Sequence, residues 1–286
     1  MKRSSKKSIR PKQSQQRPGR QNKLKPVSET YPVQYPLGRL QGKVAIITGG
    51  DSGIGKAVAL LFAAEGADIL IAYLNETEDA RQTQEEVMLL GRKCVLVKGD
   101  LGKELHCKKV VEKAMSAFGQ IDVLVNNAAL HWEEKDIRDI DTTQLMRTFH
   151  SDFFSYFWMC KFTIPYLKKN SCIINTASVV AYRGSPRLLD YAAAKGAVIS
   201  FTRSLANNLV EKGIRVNAVA PGPVWTPLIA STFSKKDVST FGSDAPMKRA
   251  GMPNEIAPSF LFLACEDSGF ISGQVMHPNG GEVVNG

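Results

Sequence analysis

The 286-residue sequence has little of what metal-binding, disulfide-bonded and membrane-spanning proteins require. Its five cysteines are scattered and form no CxxC pair, which is typical of free thiols in a reducing compartment. Its four histidines are scattered too, so no metal site is predicted. No run of about 18 apolar residues occurs, and no apolar stretch follows the basic N-terminus. These absences exclude a disulfide scaffold and a transmembrane protein, and we expect a soluble, cytoplasmic one.

Acidic residues are missing from the first 25 positions, which carry ten of the 37 Lys and Arg residues. The other 27 basic residues balance the 27 acidic ones, so the net charge of +10 belongs to the N-terminal segment. Residues 1–38 are also rich in Gln, Ser and Pro, and cannot bury enough apolar surface to offset the entropy lost on ordering. We expect a disordered extension there, which either has no specific partner or makes weak contacts with nucleic acid.

Residues 39–286 suffice for one large domain and are too few for two ordinary ones. Short runs that are apolar throughout alternate with helical stretches, which is typical of a parallel sheet covered by helices on both faces. We predict one three-layer, doubly wound α/β (Rossmann) domain with about seven parallel strands. The predicted strands are 44–48, 68–73, 94–98, 121–126, 172–176, 215–220 and 274–277. The predicted helices are 53–65, 77–90, 103–118, 143–169, 191–211 and 255–264.

A glycine-rich segment follows the first predicted strand and opens the first predicted helix: Thr48-Gly49-Gly50-Asp51-Ser52-Gly53-Ile54-Gly55. Glycine permits the positive φ of a tight turn, and the missing side chains let the backbone approach a pyrophosphate. The helix N-terminus presents free N–H groups and a partial positive charge to that anion. An ordinary glycine-rich turn is the alternative, but the strand–turn–helix placement favours a dinucleotide site.

Tyr191 and Lys195 are four residues apart at the start of a predicted helix, so they share one face. Ser178 follows the predicted strand 172–176, at the sheet edge where ligands of open α/β folds bind. Hydride transfer to a carbonyl leaves an oxygen that must gain a proton, and an ammonium group lowers the pKa of a nearby phenol. We therefore predict Tyr191 as the acid–base group, Lys195 as the cation that lowers its pKa, and Ser178 as the group that orients the substrate oxygen.

These motifs resemble, in their order, those of the short-chain dehydrogenase/reductase family: the glycine-rich turn, Asp100, Asn126-Asn127-Ala128-Ala129, Ser178, Tyr191-xxx-Lys195 and Pro221-Gly222-Pro223-Val224. The resemblance spans about residues 43–281, and the glycine turn and residues 223–228 are similar to those of bacterial general-stress, glucose/ribitol dehydrogenase-like oxidoreductases. It implies an NAD(P)-dependent enzyme that acts on a small-molecule alcohol, aldehyde or ketone. It also implies a homo-oligomer, either a tetramer or a dimer, formed through the long helices.

The resemblance also implies which residues hold the cofactor. Asp100 and the backbone of Leu101 would lie beside the adenine, Asn126 would steady the sheet, and Lys195 would contact the nicotinamide ribose. The residues expected at the cofactor are Gly49, Asp51, Ser52, Gly53, Ile54, Gly55, Tyr73, Asp100, Leu101, Asn127, Ala128, Tyr191, Lys195, Pro221, Gly222, Val224 and Thr226. Ser52 and Leu74 stand where the family often places a basic residue for the 2′-phosphate of NADP. Because both are uncharged, the sequence slightly favours NAD over NADP.

Two residues depart from the family pattern. Ala129 replaces the usual Gly, and Asp152 stands where Asn is frequent. We take Asp152 as a candidate fourth catalytic residue, because a carboxylate near Lys195 would alter the pKa of Tyr191 or the helix geometry. Arg183 and Arg187 either bind substrate or lie in a surface loop. Two other functions stay open: a dinucleotide sensor without turnover, and an interaction protein tethered by its basic N-terminal segment.

Overall fold

The computed structural model describes residues 38–284. The predicted N-terminal extension lies outside the described residues, apart from Gly38, and its boundary stays a prediction. Within the described range, no helix combines the length and the apolar character needed to cross a membrane.

Seven parallel strands form one sheet in the order β3-β2-β1-β4-β5-β6-β7. Their bounds are β1 Val44–Thr48, β2 Asp68–Tyr73, β3 Cys94–Lys98, β4 Val123–Asn126, β5 Cys172–Thr176, β6 Arg215–Val219 and β7 Val275–Met276. The prediction of a doubly wound parallel sheet of about seven strands is confirmed. The winding reverses between β1 and β4, so the binding crevice of the fold is expected at the carboxyl ends of these two strands.

The described residues also contain ten α-helices: α1 Gly53–Ala64, α2 Thr77–Leu89, α3 Glu104–Phe118, α4 Thr142–Phe149, α5 Ser155–Thr163, α6 Val180–Arg183, α7 Leu189–Leu209, α8 Pro227–Thr232, α9 Lys235–Ser239 and α10 Pro253–Ala264. Helices cover both faces of the sheet because neighbouring strand residues point to opposite sides. Ile47 packs with Phe62 of α1 and Phe260 of α10, whereas Ile46 packs with Val110 of α3 and Met159 of α5.

The predicted helix 143–169 is wrong as one continuous element. It consists of α4, a π-helical turn over His150–Phe154, α5 and a final 3-10 turn over Ile164–Tyr166. The wide turn contains Asp152, whose buried carboxylate accepts a hydrogen bond from the backbone N–H of Leu130 (2.9 Å). π-helical turns of this kind are frequent at functional sites.

The other differences are smaller. β4 begins at Val123 rather than at residue 121, and the Asp122 side chain instead accepts a hydrogen bond from the N–H of Val44 (2.9 Å). Most other element ends agree within one or two residues, as is usual for helix and strand boundaries. The short helices α6, α8 and α9 were not predicted, because four to six residues are too few to show a helical period.

Candidate active site

The turn between β1 and α1 is built around glycines. Gly49 has a φ of +63°, a conformation that disfavours side chains. A Cβ on Gly55 would overlap the carbonyl oxygen of Gly49 and lie 2.7 Å from Asn127 Nδ2. No side chain caps the first turn of α1, so its N–H groups face the crevice without a side-chain acceptor. This cradle fits the pyrophosphate of a dinucleotide, because a bulkier residue would fill it.

The segment after β4 holds the glycine turn in place. Asn127 Nδ2 donates hydrogen bonds to the carbonyl oxygens of Thr48 (3.1 Å) and Gly49 (3.2 Å). Thr48 Oγ1 in turn accepts hydrogen bonds from the N–H groups of Asn127 (2.8 Å) and Ala128 (3.1 Å). The predicted cofactor residues Asn127 and Ala128 therefore lie directly against the turn. Asn126 is fully buried and donates from Nδ2 to Asn175 Oδ1 (2.9 Å), which links β4 to β5.

The segment after β6 closes the same crevice. A Cβ on Gly53 would lie 3.2 Å from Thr226 Cγ2, so Thr226 sits over the glycine turn. Pro221 accepts a hydrogen bond from the N–H of Val179 (3.1 Å), and a Cβ on Gly222 would lie 2.7 Å from the Asn279 backbone. Val224 is buried and pairs with Gly251 in an isolated bridge. The structure thus brings the predicted nicotinamide-side residues to the crevice.

The predicted adenine side is formed by the ends of β2 and β3. Tyr73 accepts a hydrogen bond from the N–H of Gly99 (2.8 Å), and the Asp100 carboxylate accepts one from the N–H of Gly102 (2.8 Å). Leu101 is buried with the core on that side.

Asp51 and Ile54 stand in the glycine turn. Asp51 accepts a hydrogen bond from Ser52 Oγ (3.0 Å), and burial raises the pKa of its carboxyl group. The Ile54 side chain packs against the core, so the turn offers its backbone and not its side chain to a ligand.

Ser178 and Tyr191 meet where β5 ends and α7 begins. Ser178 follows β5 by two residues, and Tyr191 lies in the first turn of α7. The Ser178 side chain lies close enough to Tyr191 to lower the pKa of its phenol, so the strand end and the helix start meet as predicted. Val180 donates its N–H to Ser178 Oγ (3.4 Å). The two hydroxyl groups can therefore share one oxygen atom of a substrate.

Lys195 is completely buried one helical turn after Tyr191. Its Nζ donates hydrogen bonds to Tyr156 Oη (3.1 Å) and the Thr176 carbonyl oxygen (3.0 Å). The same ammonium lies 3.8 Å from Asp152 Oδ2 and 5.6 Å from the centre of the Tyr191 ring. The predicted group of Asp152, Tyr191 and Lys195 is thus brought together, with Tyr156 as an unpredicted member.

The pKa of Tyr191 moves opposite to expectation. Burial raises it above its ordinary value, the negative charge of Asp152 raises it further, and the hydrogen bond with Ser178 lowers it. The expected lowering by Lys195 is not seen, and the negative charge beside the phenol that does act on its pKa is that of Asp152. In this structure Tyr191 is therefore held as a neutral phenol.

Opposing effects act on the pKa of the Asp152 carboxyl group. Burial raises the pKa of its carboxyl group to about 6, against the lowering effects of the Lys195 charge and of hydrogen bonds from Ser151 and Leu130. Burial also lowers the pKa of Lys195, against the raising effect of Asp152. Each group therefore stabilises the charged form of the other in a site that excludes water.

Sequence reasoning missed two side chains at the site. Tyr156 is four residues after Asp152, and helical spacing alone places both on the face towards Lys195. His131 contacts the Tyr191 ring edge-on, with ring centres 4.9 Å apart. No sequence signal marked His131, because it comes from a loop.

Arg183 and Arg187 tie loops together. Arg183 pairs with Glu282 (2.9 Å), and Arg187 pairs with Glu133 (2.9 Å) and Asp237 (3.4 Å). This favours the surface-loop interpretation of both arginines. Over residues 38–284, no three His, Cys, Asp or Glu side chains cluster closely enough to hold a metal ion.

Replacing Gly55 by Ala is expected to weaken dinucleotide binding by about 100-fold, or to prevent folding, because the added methyl group meets backbone and not a flexible side chain. Fluorescence titration with NADPH and NADH measures the affinity. Gly196→Ala is the matched control, since nothing lies within 4 Å of its added Cβ. A Gly55→Ala protein that binds as tightly as the control would show that the cradle does not hold the dinucleotide.

Comparisons with known proteins identify a family and relatives for this chain. The family model described as enoyl-(acyl carrier protein) reductase matches residues 49–282. The chain is 52% identical over 281 residues to the uncharacterized oxidoreductase YhxC of Bacillus subtilis (strain 168), covering 98% of both chains. It is 47% identical to the glucose and ribitol dehydrogenase of Daucus carota, covering 96% of this chain and 97% of that one. It is 48% identical to the chloroplastic NADPH-dependent aldehyde reductase 1 of Arabidopsis thaliana, covering 94% and 96%.

Solved structures share the fold. A short chain dehydrogenase from Burkholderia cenocepacia J2315, in complex with NADP, superposes with a TM-score of 0.80 at 29% identity, covering 85% of this chain and 99% of that one. A blue fluorescent protein from a metagenomic library, in complex with NADPH, gives a TM-score of 0.79 at 29% identity, covering 85% and 98%. Both complexes contain the phosphorylated coenzyme, so they give the expected lean towards NAD no support.

Proposed function

Because this chain belongs to the short-chain dehydrogenase/reductase family and is an NAD(P)-dependent oxidoreductase of alcohols and carbonyls, we propose that Tyr191 is its acid–base group. The meeting of Ser178 and Tyr191, where β5 ends and α7 begins, carries this proposal. Two hydroxyl groups at one point bind a carbonyl oxygen and supply its proton, which is the requirement of the reaction.

The residues divide the chemistry between them. The bound nicotinamide supplies or accepts the hydride, and the glycine turn, Asn127 and Thr226 would hold the cofactor. Ser178 orients the substrate oxygen, and Tyr191 donates a proton to it during reduction or removes one during oxidation. Because burial and Asp152 raise the pKa of Tyr191, its proton is in place for reduction at neutral pH. Oxidation needs the phenolate, so its rate rises as the pH becomes alkaline.

Lys195 and Asp152 influence the ionisation of the Tyr191 phenol. The Lys195 ammonium is aligned by Tyr156 and Thr176, and it stabilises the negative charge that forms on Tyr191 as the proton leaves. Asp152 opposes this effect with its own charge and keeps Lys195 protonated. We infer that Asp152 sets the pH at which Tyr191 works and is not essential for turnover.

We propose NADPH as the preferred reduced coenzyme. The Arabidopsis relative is named for it, and Lys98 adds an argument from this chain. Lys98 is the register partner of Tyr73, and its Nζ lies 3.3 Å from Thr77 Oγ1 at the start of α2. An ammonium at this edge can neutralise a 2′-phosphate. The Glu76 carboxylate accepts a hydrogen bond from the N–H of Asn75 (2.9 Å), which occupies one of its oxygens.

We also propose a cytoplasmic homo-oligomer. All five cysteines are free thiols, which fits a reducing compartment. Phe157 of α5 is 45% exposed and packs against Phe201 of α7, with ring centres 5.5 Å apart. An aromatic pair with one exposed ring, shared by α5 and α7, supports a dimer or tetramer built on that face.

Coenzyme titration followed by turnover tests the proposed function. Purified protein is titrated with NADPH and NADH by fluorescence, and absorbance is then followed with polyols, sugars, aldehydes and ketones. We expect tighter binding of NADPH and turnover of at least one class. Tighter binding of NADH would overturn the coenzyme proposal alone. Binding without turnover of any compound would instead favour the dinucleotide-sensing module.

Replacing Asp152 by Asn is expected to preserve activity and to move the rise of alcohol oxidation to lower pH. The amide keeps the shape of the side chain and removes the charge that raises the pKa values of Tyr191 and Lys195, so both pKa values fall. The ratio of the oxidation rate at about pH 7 to that at about pH 9 should increase several-fold. Asp139→Asn, an exposed replacement of the same kind, is the control. An unchanged profile would show that Asp152 does not tune Tyr191.

A further inference from the structure

His131 is wedged between the acid–base residue and the segment that follows β6. Its ring meets that of Tyr191 edge-on, with centres 4.9 Å apart and planes at 69°. On another side, the centre of the Phe233 ring is 5.6 Å away. Phe233 directly follows α8, so the imidazole lies between the acid–base residue and the end of that helix.

One nitrogen of this ring is an orphan. His131 is only 7% exposed, and its buried Nδ1 has no hydrogen-bond partner among the described residues. Buried polar atoms nearly always have a hydrogen-bond partner, because burying a polar atom without a hydrogen bond costs free energy. The orphan nitrogen next to the reacting group therefore indicates an atom kept for a ligand.

The charge state of the His131 ring limits the kinds of ligand that it can bind. Burial, together with the positive charge of Lys195, lowers the pKa of His131 to about 4, so the imidazole is neutral at physiological pH. A neutral imidazole offers one donor and one acceptor. A hydroxyl group can be either, whereas a carboxylate or phosphate would use only the donor and would gain no charge pairing from the uncharged ring. The chemistry favours a substrate hydroxyl group.

The ring is also held in place. The carbonyl oxygen of His131 accepts a hydrogen bond from Thr232 Oγ1 (3.4 Å) at the end of α8. Two residues further on, Glu133 pairs with Arg187 (2.9 Å), which also pairs with Asp237 of α9 (3.4 Å). These contacts fix the His131 segment to the loops around it, so the imidazole is preorganised and loses little freedom on binding.

We propose that His131 is a substrate-binding residue that hydrogen-bonds a hydroxyl group on the carbon next to the reacting one, so that short α-hydroxy aldehydes and ketones are the preferred substrates. The corresponding vicinal diols are the substrates of the reverse direction. This inference rests on the proposed role of Tyr191, because that phenol positions the reacting oxygen. The His131 ring contacts the Tyr191 ring, so it is the side chain we assign to the oxygen of the adjacent carbon.

A matched pair of aldehydes tests the proposal. Lactaldehyde and propanal have the same three carbons and differ by the hydroxyl group on the carbon next to the carbonyl. With NADPH or NADH, whichever binds, wild type is expected to show a kcat/KM about tenfold or more higher for lactaldehyde. His131→Phe keeps the ring contacts with Tyr191 and Phe233 and removes both nitrogens, so the ratio should fall towards one. His131→Gln keeps a donor and an acceptor and should recover part of the ratio.

The outcomes separate two failures. If wild type turns over both aldehydes but His131→Phe keeps the wild-type ratio, His131 does not bind the hydroxyl group and the oxidoreductase function stands. A wild-type ratio of one or less also overturns the inference. If wild type turns over neither aldehyde nor any compound of the wider panel, the proposed function itself is wrong. Should His131→Phe fail to fold, His131→Leu gives the same comparison without an aromatic ring.

Discussion

Replacing Tyr191 by Phe is expected to lower turnover by about 1000-fold while dinucleotide affinity changes by less than about twofold. The change removes one oxygen and keeps the ring, so the edge contact with His131 stays and Lys195 keeps its hydrogen bonds to Tyr156 and Thr176. The lost oxygen is the proton donor of reduction, and Ser178 cannot replace it because the pKa of an aliphatic hydroxyl group is far too high. Single-turnover absorbance at saturating coenzyme measures the effect.

Tyr166→Phe serves as the matched control, because it removes a phenol oxygen from an exposed residue in the 3-10 turn after α5. It is expected to leave turnover at the wild-type level. If Tyr191→Phe retained more than about a tenth of wild-type turnover, Tyr191 would not be the acid–base group, and a neighbouring phenol such as Tyr156 would have to be tested next.

The fold could be predicted because its signal is repeated along the chain. Four strands begin and end where the apolar runs do, namely β1, β2, β3 and β5. The meeting of Ser178 and Tyr191 followed from one topological rule, that the ends of parallel strands and the starts of their helices share one edge of the sheet. Such rules act on whole elements and tolerate errors of one or two residues.

The interior of the site could not be predicted in the same way. Lys195 lies close to Asp152, Tyr156 and Tyr191, and of these it hydrogen-bonds Tyr156. Which of the three accepts the hydrogen bond depends on side-chain distances that a sequence pattern does not define. The π-helical turn that directs Asp152 inwards adds one residue to a helical period, which an apolar pattern does not register. His131 reaches Tyr191 from a loop without periodicity. One of these side chains, Asp152, adds to the effect of burial in raising the pKa of Tyr191.

Replacing Lys195 by Met is expected to abolish turnover and to destabilise the fold by about 3 kcal/mol at about pH 8, because it leaves the Asp152 carboxylate buried without a countercharge. The folded-state pKa of Asp152 already lies above its unfolded value, and loss of the cation raises it further. Below the pKa that Asp152 has in the unfolded state, its raised folded-state pKa does not change the free energy of unfolding, because the carboxyl group is protonated in both states. Up to about pH 6 the Asp152 carboxyl group is protonated in the folded state with or without Lys195, so the variant loses stability relative to wild type only as the pH rises from about 6 towards 8.

The double variant Lys195→Met with Asp152→Asn separates stability from catalysis. It removes both charges, so unfolding by urea at about pH 8 should return to near the wild-type midpoint, while turnover stays lost because no cation remains to stabilise the Tyr191 phenolate. Asp152→Asn alone, which keeps Lys195, should keep activity. A single Lys195→Met variant that is equally unstable at about pH 5 and about pH 8 would place its defect in packing, not in the uncompensated carboxylate. Turnover by the double variant would remove Lys195 from the catalytic group altogether.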